Sequence, residues 1–234
     1  MKEKELLELP NYWNFRITIH EAPSVIIEIG GAEMIKFDST GDIQADVRNL
    51  LVSNRKQSTF DHSQKAAKTN IKIAAQYGLD INVCELSGYL HDISAVISPQ
   101  NMMSYAVDKG WYIDEAEYKY PFLLHQRISK VIACEDFGIT DERILSAIEH
   151  HSTLKANPSA YDMALFVADK LAWDQCEIHG EAPFYSVVSE AIKHSLEAAS
   201  LAYMDYIVGH KIILHPHVWF EEGLAFLTFR GVQR

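Results

Sequence analysis

Apolar and polar positions follow one period at the start of the chain and another afterwards. "YWNFRITIH", "SVIIEIG" and "AEMIKF" are short β-branched and aromatic runs separated by "EAPS" and by Gly30-Gly31. They predict a small antiparallel meander. "DSTGD" ends it, and from about Ile43 the pattern is helical. In "HSQKAAKTNIKIAAQYG" apolar residues fall at Ala67, Ile71, Ala74 and Ala75, with Gly78 as the stop. "INVCELSGYLHD" predicts a second helix. After a looser stretch, "YPFLLHQRISKVIACEDFG" predicts a third, closed by Gly138. "TDERILSAIEHHS" offers Thr140 as N-cap and an acidic first turn, and "SAYDMALFVADKLAWDQ" is apolar enough for a buried helix. The longest helix is expected from near Pro183 to Val208, with Gly209 as its C-cap. "HPHVWFEEGLAFLTF" reads as a last helix. The expected fold class is mainly α: a helical bundle over 46–234 behind a small β-rich N-terminal extension, 1–45.

Composition narrows the partners. With 234 residues, 48% of them hydrophobic, the chain can bury a sizeable core. A formal net charge of -11 argues against broad electrostatic binding to nucleic acid or to an anionic membrane. A nucleotide ligand stays compatible with that charge, because a bound cation inverts the sign of a site locally. Cys84, Cys134 and Cys176 are odd in number and lack CxxC spacing, so a disulfide scaffold and a thiolate zinc site are not expected. The three read as small core residues. "MKEKELLELPNYW" lacks the apolar core of a signal peptide, and no apolar run reaches membrane-spanning length. A cytoplasmic protein is expected.

The chemistry sits in the order of imidazoles and carboxylates: His62, His91-Asp92, His125, His150-His151 and Asp169, each group on a different expected helix. Imidazole is a good borderline ligand for divalent transition metals, and a carboxylate can bridge two cations. A bundle core gathers side chains from facing helices, so a metal site can be built from distant parts of the chain. Buried imidazoles need partners for both ring nitrogens, which a purely structural role supplies poorly at so many places. "HPHV" places His215 and His217 in an HxH spacing, read as a structural or substrate-rim turn. His20, His179, His194 and His210 carry no supporting pattern. Trp111, Tyr112, Tyr118 and Tyr120 read as an aromatic loop over a core patch, with stacking on a nucleobase as the functional alternative. Lys170 reads equally as a solvated helix lysine or a phosphate contact.

His, then His-Asp, then Asp resembles the HD-domain superfamily of metal-dependent phosphohydrolases. Within it the chain most resembles the YqeK group, which splits diadenosine tetraphosphate symmetrically into two ADP and uses iron. The similar pieces are "DHSQKAAKTNIKIAAQYGLD", "LSGYLHDIS", "LLHQRISKVIACEDFGITDERILSAIEHHST", "DMALFVADKL" and "IVGHKIILHP", spanning roughly residues 55 to 220. The resemblance implies an HD-type helical domain with His62, His91, Asp92 and Asp169 as metal ligands. It implies His125 and His151 near a second metal or the phosphates. His150 stands where the relatives usually have another residue type, and it is kept as a candidate ligand. One or two divalent transition metals are implied, iron first, with manganese or zinc as alternatives. The implied nucleophile is a metal-activated water, with Asp92, His125 and His151 as the catalytic set.

The chain departs from the YqeK pattern at positions that hold phosphates. An Arg three residues before the first His is Thr59, a Lys three residues after the Asp is Ala95, and a Glu and an Arg after the last Asp are Ala172 and Gln175. The expectation is a phosphohydrolase acting on a small nucleotide-type ester or anhydride, diadenosine tetraphosphate included. The alternative is a non-hydrolytic metal- and nucleotide-binding sensor on the same fold. A di-iron redox protein is a third reading. A homodimer is the expected assembly. "FDSTGDIQADVRNLL" faintly resembles the tail of nicotinate-nucleotide adenylyltransferases, but no HxGH motif is present and adenylyl transfer is not expected.

Overall fold

The computed structural model describes residues 24–29, 33–173, 184–213 and 215–231. It is mainly helical. Two strands, β1 (Ser24–Ile29) and β2 (Glu33–Asp38), pair antiparallel with Ser24 opposite Asp38 and Ile29 opposite Glu33. The first run of the expected meander, "YWNFRITIH", lies outside the described residues.

The helices that build the core begin with α1 (Ile43–Ser53) and α2 (Gln57–Tyr77). Phe60, Ser63, Ala66, Ala67, Asn70, Ile73 and Ala74 of α2 are buried, a spacing of three and four that makes one continuous face. Gly78, at φ 66°, closes the helix in the left-handed conformation that a side chain resists. Helix α3 (Ile81–Leu90) starts at Asp80, whose carboxylate accepts from the Asn82 and Val83 amides. It packs on α2 at backbone contact. A Cβ added at Gly88 would lie 2.4 Å from the Ala67 Cα, so only glycine allows this approach. The close crossing brings the first third of α2 beside the C-terminal end of α3, where His62 and His91 stand.

The stretch after α3, read as loose, is largely helical. A 3₁₀ turn, Ile93–Val96, leads to α4 (Pro99–Asp108), capped by Ser98 with Pro99 in its first turn. The short α5 (Glu115–Lys119) carries a capping box between Asp114 and Glu117. A second 3₁₀ turn, Pro121–Leu124, runs into α6 (His125–Glu135). Helix α7 (Glu142–His150) is capped by Asp141, not Thr140, because the Asp141 carboxylate accepts from the Arg143 amide. Helix α8 (Ala160–Ala172) is buried at every position from Asp162 to Lys170 and is the central rod of the domain.

The single long helix expected from 183 to 208 is two helices, α9 (Tyr185–Ala191) and α10 (Leu196–Gly209). Ser195 breaks them by adopting an extended backbone and accepting from the Ala198 amide as the N-cap of α10. Its far end is capped by His210 rather than Gly209. Helix α11 (Val218–Phe229) follows the His217 N-cap.

One apolar cluster joins α1, α3, α4, α6 and α7, and a second joins α2 and α8 to α9, α10 and α11. Cys84 is buried as expected, whereas Cys134 is exposed and is not a core residue. Cys176 lies outside the described residues. Among the described residues no helix is long and apolar enough to cross a membrane.

Candidate metal centre

Adjacent helical residues point about 100° apart, yet His91 and Asp92 join the same cluster of donors. Helix α3 ends at Leu90, and Asp92 leaves helical geometry at φ -112°, ψ 17° to cap the following 3₁₀ turn. That turn redirects the carboxylate beside the imidazole, 3.4 Å from its Nε2. His125 is the first residue of α6, His151 follows the last residue of α7, and Asp169 lies in the last turn of α8. Helix ends therefore supply most of the donors.

Two groups form. In the first, His62 Nε2 lies 2.9 Å from Asp169 Oδ1 and 3.3 Å from His91 Nε2, and His91 Nε2 lies 3.7 Å from Asp169 Oδ1. In the second, His125 Nε2 and His151 Nε2 face each other at 2.9 Å, at 3.4 Å and 3.6 Å from Asp92 Oδ1. Asp92 belongs to both, through one oxygen on each side.

The ring tautomers suit a metal. His91 Nδ1–H donates to the Gly88 carbonyl at 2.8 Å, His125 Nδ1–H to Phe122 at 2.5 Å, and His151 Nδ1–H to Ile148 at 2.8 Å. Each bond commits Nδ1 as donor and turns Nε2 inward. The sets His62, His91, Asp92 and Asp92, His125, His151 each offer ligand atoms within 4.8 Å of one another. An all-nitrogen-and-oxygen donor set of this kind fits a divalent transition metal.

Charge in the site is finely matched. Burial alone would lower His91, but the Asp92 and Asp169 carboxylates outweigh it and hold the imidazole up at about 9. His151 is pushed down to about 4 by burial, against the pull of Asp92 and with repulsion from His91 and His125. His125 is lowered mainly by burial. Burial would raise Asp92 and Asp169, but facing cations keep both well below the carboxylate range: chiefly the His91 imidazolium for the first, and the Lys170 ammonium with His91 for the second. Two carboxylates thus face one imidazolium and one ammonium, and the His91 proton occupies the place in the charge balance that a metal would take.

Lys170 is the residue that sequence reasoning missed. It is 3% exposed, and its Nζ donates to Asp169 Oδ2 at 2.6 Å and to the His151 carbonyl at 2.8 Å. The Phe166 and Tyr203 rings wall the ammonium at 4.7 and 5.5 Å. It is neither solvated nor free to meet a phosphate. By holding Oδ2 it leaves Oδ1 for His62 and His91, and by holding His151 it ties the two groups together. The signal was the helix itself: "DMALFVADKL" is apolar on all sides, so a lysine inside it has no solvent face.

His150 is not brought to the site. Its Nδ1–H donates to the Ser146 carbonyl at 2.8 Å and its ring packs on Trp219, 4.8 Å between centroids. It is half of a His-His pair whose members diverge at the end of α7. His217 is buried as the α11 cap, its Nδ1 accepting from the Trp219 amide and its Nε2 lying 3.5 Å from buried Glu117, which also pairs with Arg127 at 3.1 Å. His215 lies 3.9 Å from Glu115 on the surface. His20 and His179 lie outside the described residues.

An HD-domain family model matches residues 59–174, which contain His62, His91, Asp92, His125, His151 and Asp169. An uncharacterised protein in the pepC 5′ region of Lactococcus lactis subsp. cremoris is 38% identical over 139 residues, covering 59% of this chain and 69% of that protein. A symmetrical bis(5′-nucleosyl)-tetraphosphatase of Staphylococcus aureus is 29% identical over 114 residues; the match covers 48% of this chain and 58% of that enzyme's length. A solved structure from Clostridium acetobutylicum, a "predicted HD superfamily hydrolase involved in NAD metabolism", superposes with a TM-score of 0.70 over 80% of this chain and 97% of that chain, at 22% identity. The fold is therefore shared with that hydrolase, and with the sequence match and the His, His-Asp, Asp order in place, the chain belongs to the HD-domain family.

Proposed function

We propose that this chain is a metal-dependent phosphohydrolase acting on a nucleotide-type phosphate ester or anhydride, with symmetrical cleavage of diadenosine tetraphosphate to two ADP as the first activity to test. The observation that carries the reading is the shared carboxylate: Asp92 stands between two ligand groups, one oxygen toward each. The tetraphosphatase relative supports the substrate class.

His62, His91, Asp92 and Asp169 would hold one ion, and Asp92, His125 and His151 a second. Iron is the first candidate, with manganese and zinc as alternatives for the same donors. When bound, the metal supplies an acidified water and positive charge for the phosphoryl oxygens. The chain's own part is placement. Backbone carbonyls fix the rings of His91, His125 and His151, and Lys170 fixes Asp169. His125 and His151, each with Nδ1–H committed to a backbone carbonyl, turn their Nε2 lone pairs toward the same oxygen of Asp92, so that the three converge as ligand atoms for a cation.

The same reading takes residues 1–45 as a small β-rich extension and 46–234 as the catalytic domain, working in the cytoplasm as a homodimer without nucleic-acid or membrane partners. The hairpin and the start of the family match at residue 59 support the division.

Hydrolysis of a panel tests the function: diadenosine polyphosphates, mononucleotides and a generic phosphodiester, with ferrous or manganese ion added. Cleavage to ADP supports the full reading. Preference for another ester keeps the chemistry and discards that substrate. Silence across the panel with metal bound favours a nucleotide sensor, which Thr59 and Ala95, in place of cationic residues, would suit.

A further inference from the structure

Beside His125 the surface changes from polar to aromatic. Phe122, in the 3₁₀ turn before α6, is 52% exposed. Its carbonyl fixes His125, and its ring lies near parallel to the imidazole, 24° between planes and 6.4 Å between centroids. Half-buried Tyr120 adjoins it at 6.3 Å, and His215, from the segment before α11, adjoins Tyr120 at 6.4 Å. Three rings from two distant parts of the chain thus continue outward from a residue of the second ligand group.

The charges on this face select what can lie there. Arg127 is turned away, its guanidinium held by Glu117 and stacked on Trp111 at 4.3 Å. The outer end of the rings carries the exposed carboxylate of Glu115, 3.9 Å from His215. An anion at that end meets the Glu115 carboxylate. A planar uncharged group gains stacking area on rings that are otherwise wet.

We propose that Phe122, Tyr120 and His215 form a platform for the nucleobase of the substrate, so that the phosphates run inward to His125 and His151. This rests on the phosphohydrolase reading and adds the class of recognised group: an aromatic base, read by stacking. A face of this kind is tolerant of base identity, because every base has a π-face.

The test compares binding of ADP and of inorganic phosphate to the manganese-loaded full chain, by calorimetry, in wild type, Phe122→Ala and Phe122→Trp. Loss of base stacking is expected to weaken ADP about ten-fold, inorganic phosphate less than two-fold, and to leave manganese content unchanged. Phe122→Trp should restore ADP. Tyr120→Leu provides a second loss that leaves the His125 anchor carbonyl in place. Equal weakening of ADP and phosphate would overturn the platform and make Phe122 a prop for His125. No weakening of ADP in either variant would overturn it too. ADP binding that depends on Phe122 without any hydrolysis would keep the platform and remove the catalytic reading. A wild type that holds manganese but binds no ADP removes both.

Discussion

Replacing Lys170 by Met tests whether the buried ammonium organises the site. Met has similar length and suits the apolar wall of Phe166 and Tyr203, so the variant removes charge with little change in packing. It abolishes the bonds of 2.6 Å to Asp169 and 2.8 Å to the His151 carbonyl, leaving a carboxylate 8% exposed beside two imidazoles. Removing one partner of a buried ion pair costs about 3–5 kcal/mol. For a chain of this size that corresponds to a fall in Tm of roughly 6–20 °C. Thermal unfolding in excess chelator measures it. Repeating the scan with saturating manganese should show a smaller loss, because the ion compensates Asp169 in place of the ammonium. Combining the change with Asp169→Asn should cost clearly less than the sum of the two single variants, since each removes the same pair. A loss under about 1 kcal/mol in the metal-free protein, or an identical loss with and without manganese, would mean that the ammonium does not organise the site.

His91 in the metal-free protein is held at about 9, above its ordinary 6.5, so its contribution to stability is complete below 6.5 and is lost as pH rises through about 9. A metal must displace that proton. Apparent metal affinity should therefore rise from pH 7 to 9, approaching about ten-fold per unit; titration at several pH values giving a flat profile would contradict the ligand role of His91. His151→Gln should lower metal content, whereas His150→Gln should leave it unchanged, as read by elemental analysis; equal losses would mean that the divergence of this pair is misjudged. Gly88→Ala would force a Cβ to within 2.4 Å of the Ala67 Cα and should destabilise by about 2 kcal/mol or more, seen in denaturant unfolding; a neutral result would mean that α2 and α3 separate at little cost.

Much of the site was legible before the structure because its information is local. Gly78 ends α2 as expected, and the apolar run of α8 predicted a buried rod that does carry Asp169. His91, Asp92, His125, His151 and Asp169 come together because each stands at or near a helix end, and the close α2–α3 crossing sets His62 beside them. What could not be read were decisions made by tertiary contact. Nothing local says which of His150 and His151 turns inward; the packing of His150 on Trp219, nearly seventy residues later, settles it. Neither reading of Lys170, solvated or phosphate-binding, anticipates its burial, because its partners are a neighbour in sequence and a carbonyl on another helix. The break at Ser195 was hidden by helix-forming neighbours on both sides, and α4 and α5 were too short to establish a period even though Ser98 and Asp114 mark their starts.

Asp92, shared between the two ligand groups, is the residue on which the proposed metal-dependent hydrolysis turns. The most direct measurement is metal content and turnover of diadenosine tetraphosphate on one preparation each of wild type and Asp92→Asn, loaded with ferrous or manganese ion. ADP is expected as the product of the wild type, with lower metal content in the variant and turnover reduced on the order of 10²-fold or more. Wild-type turnover in the variant, or full metal content together with full turnover, would contradict it.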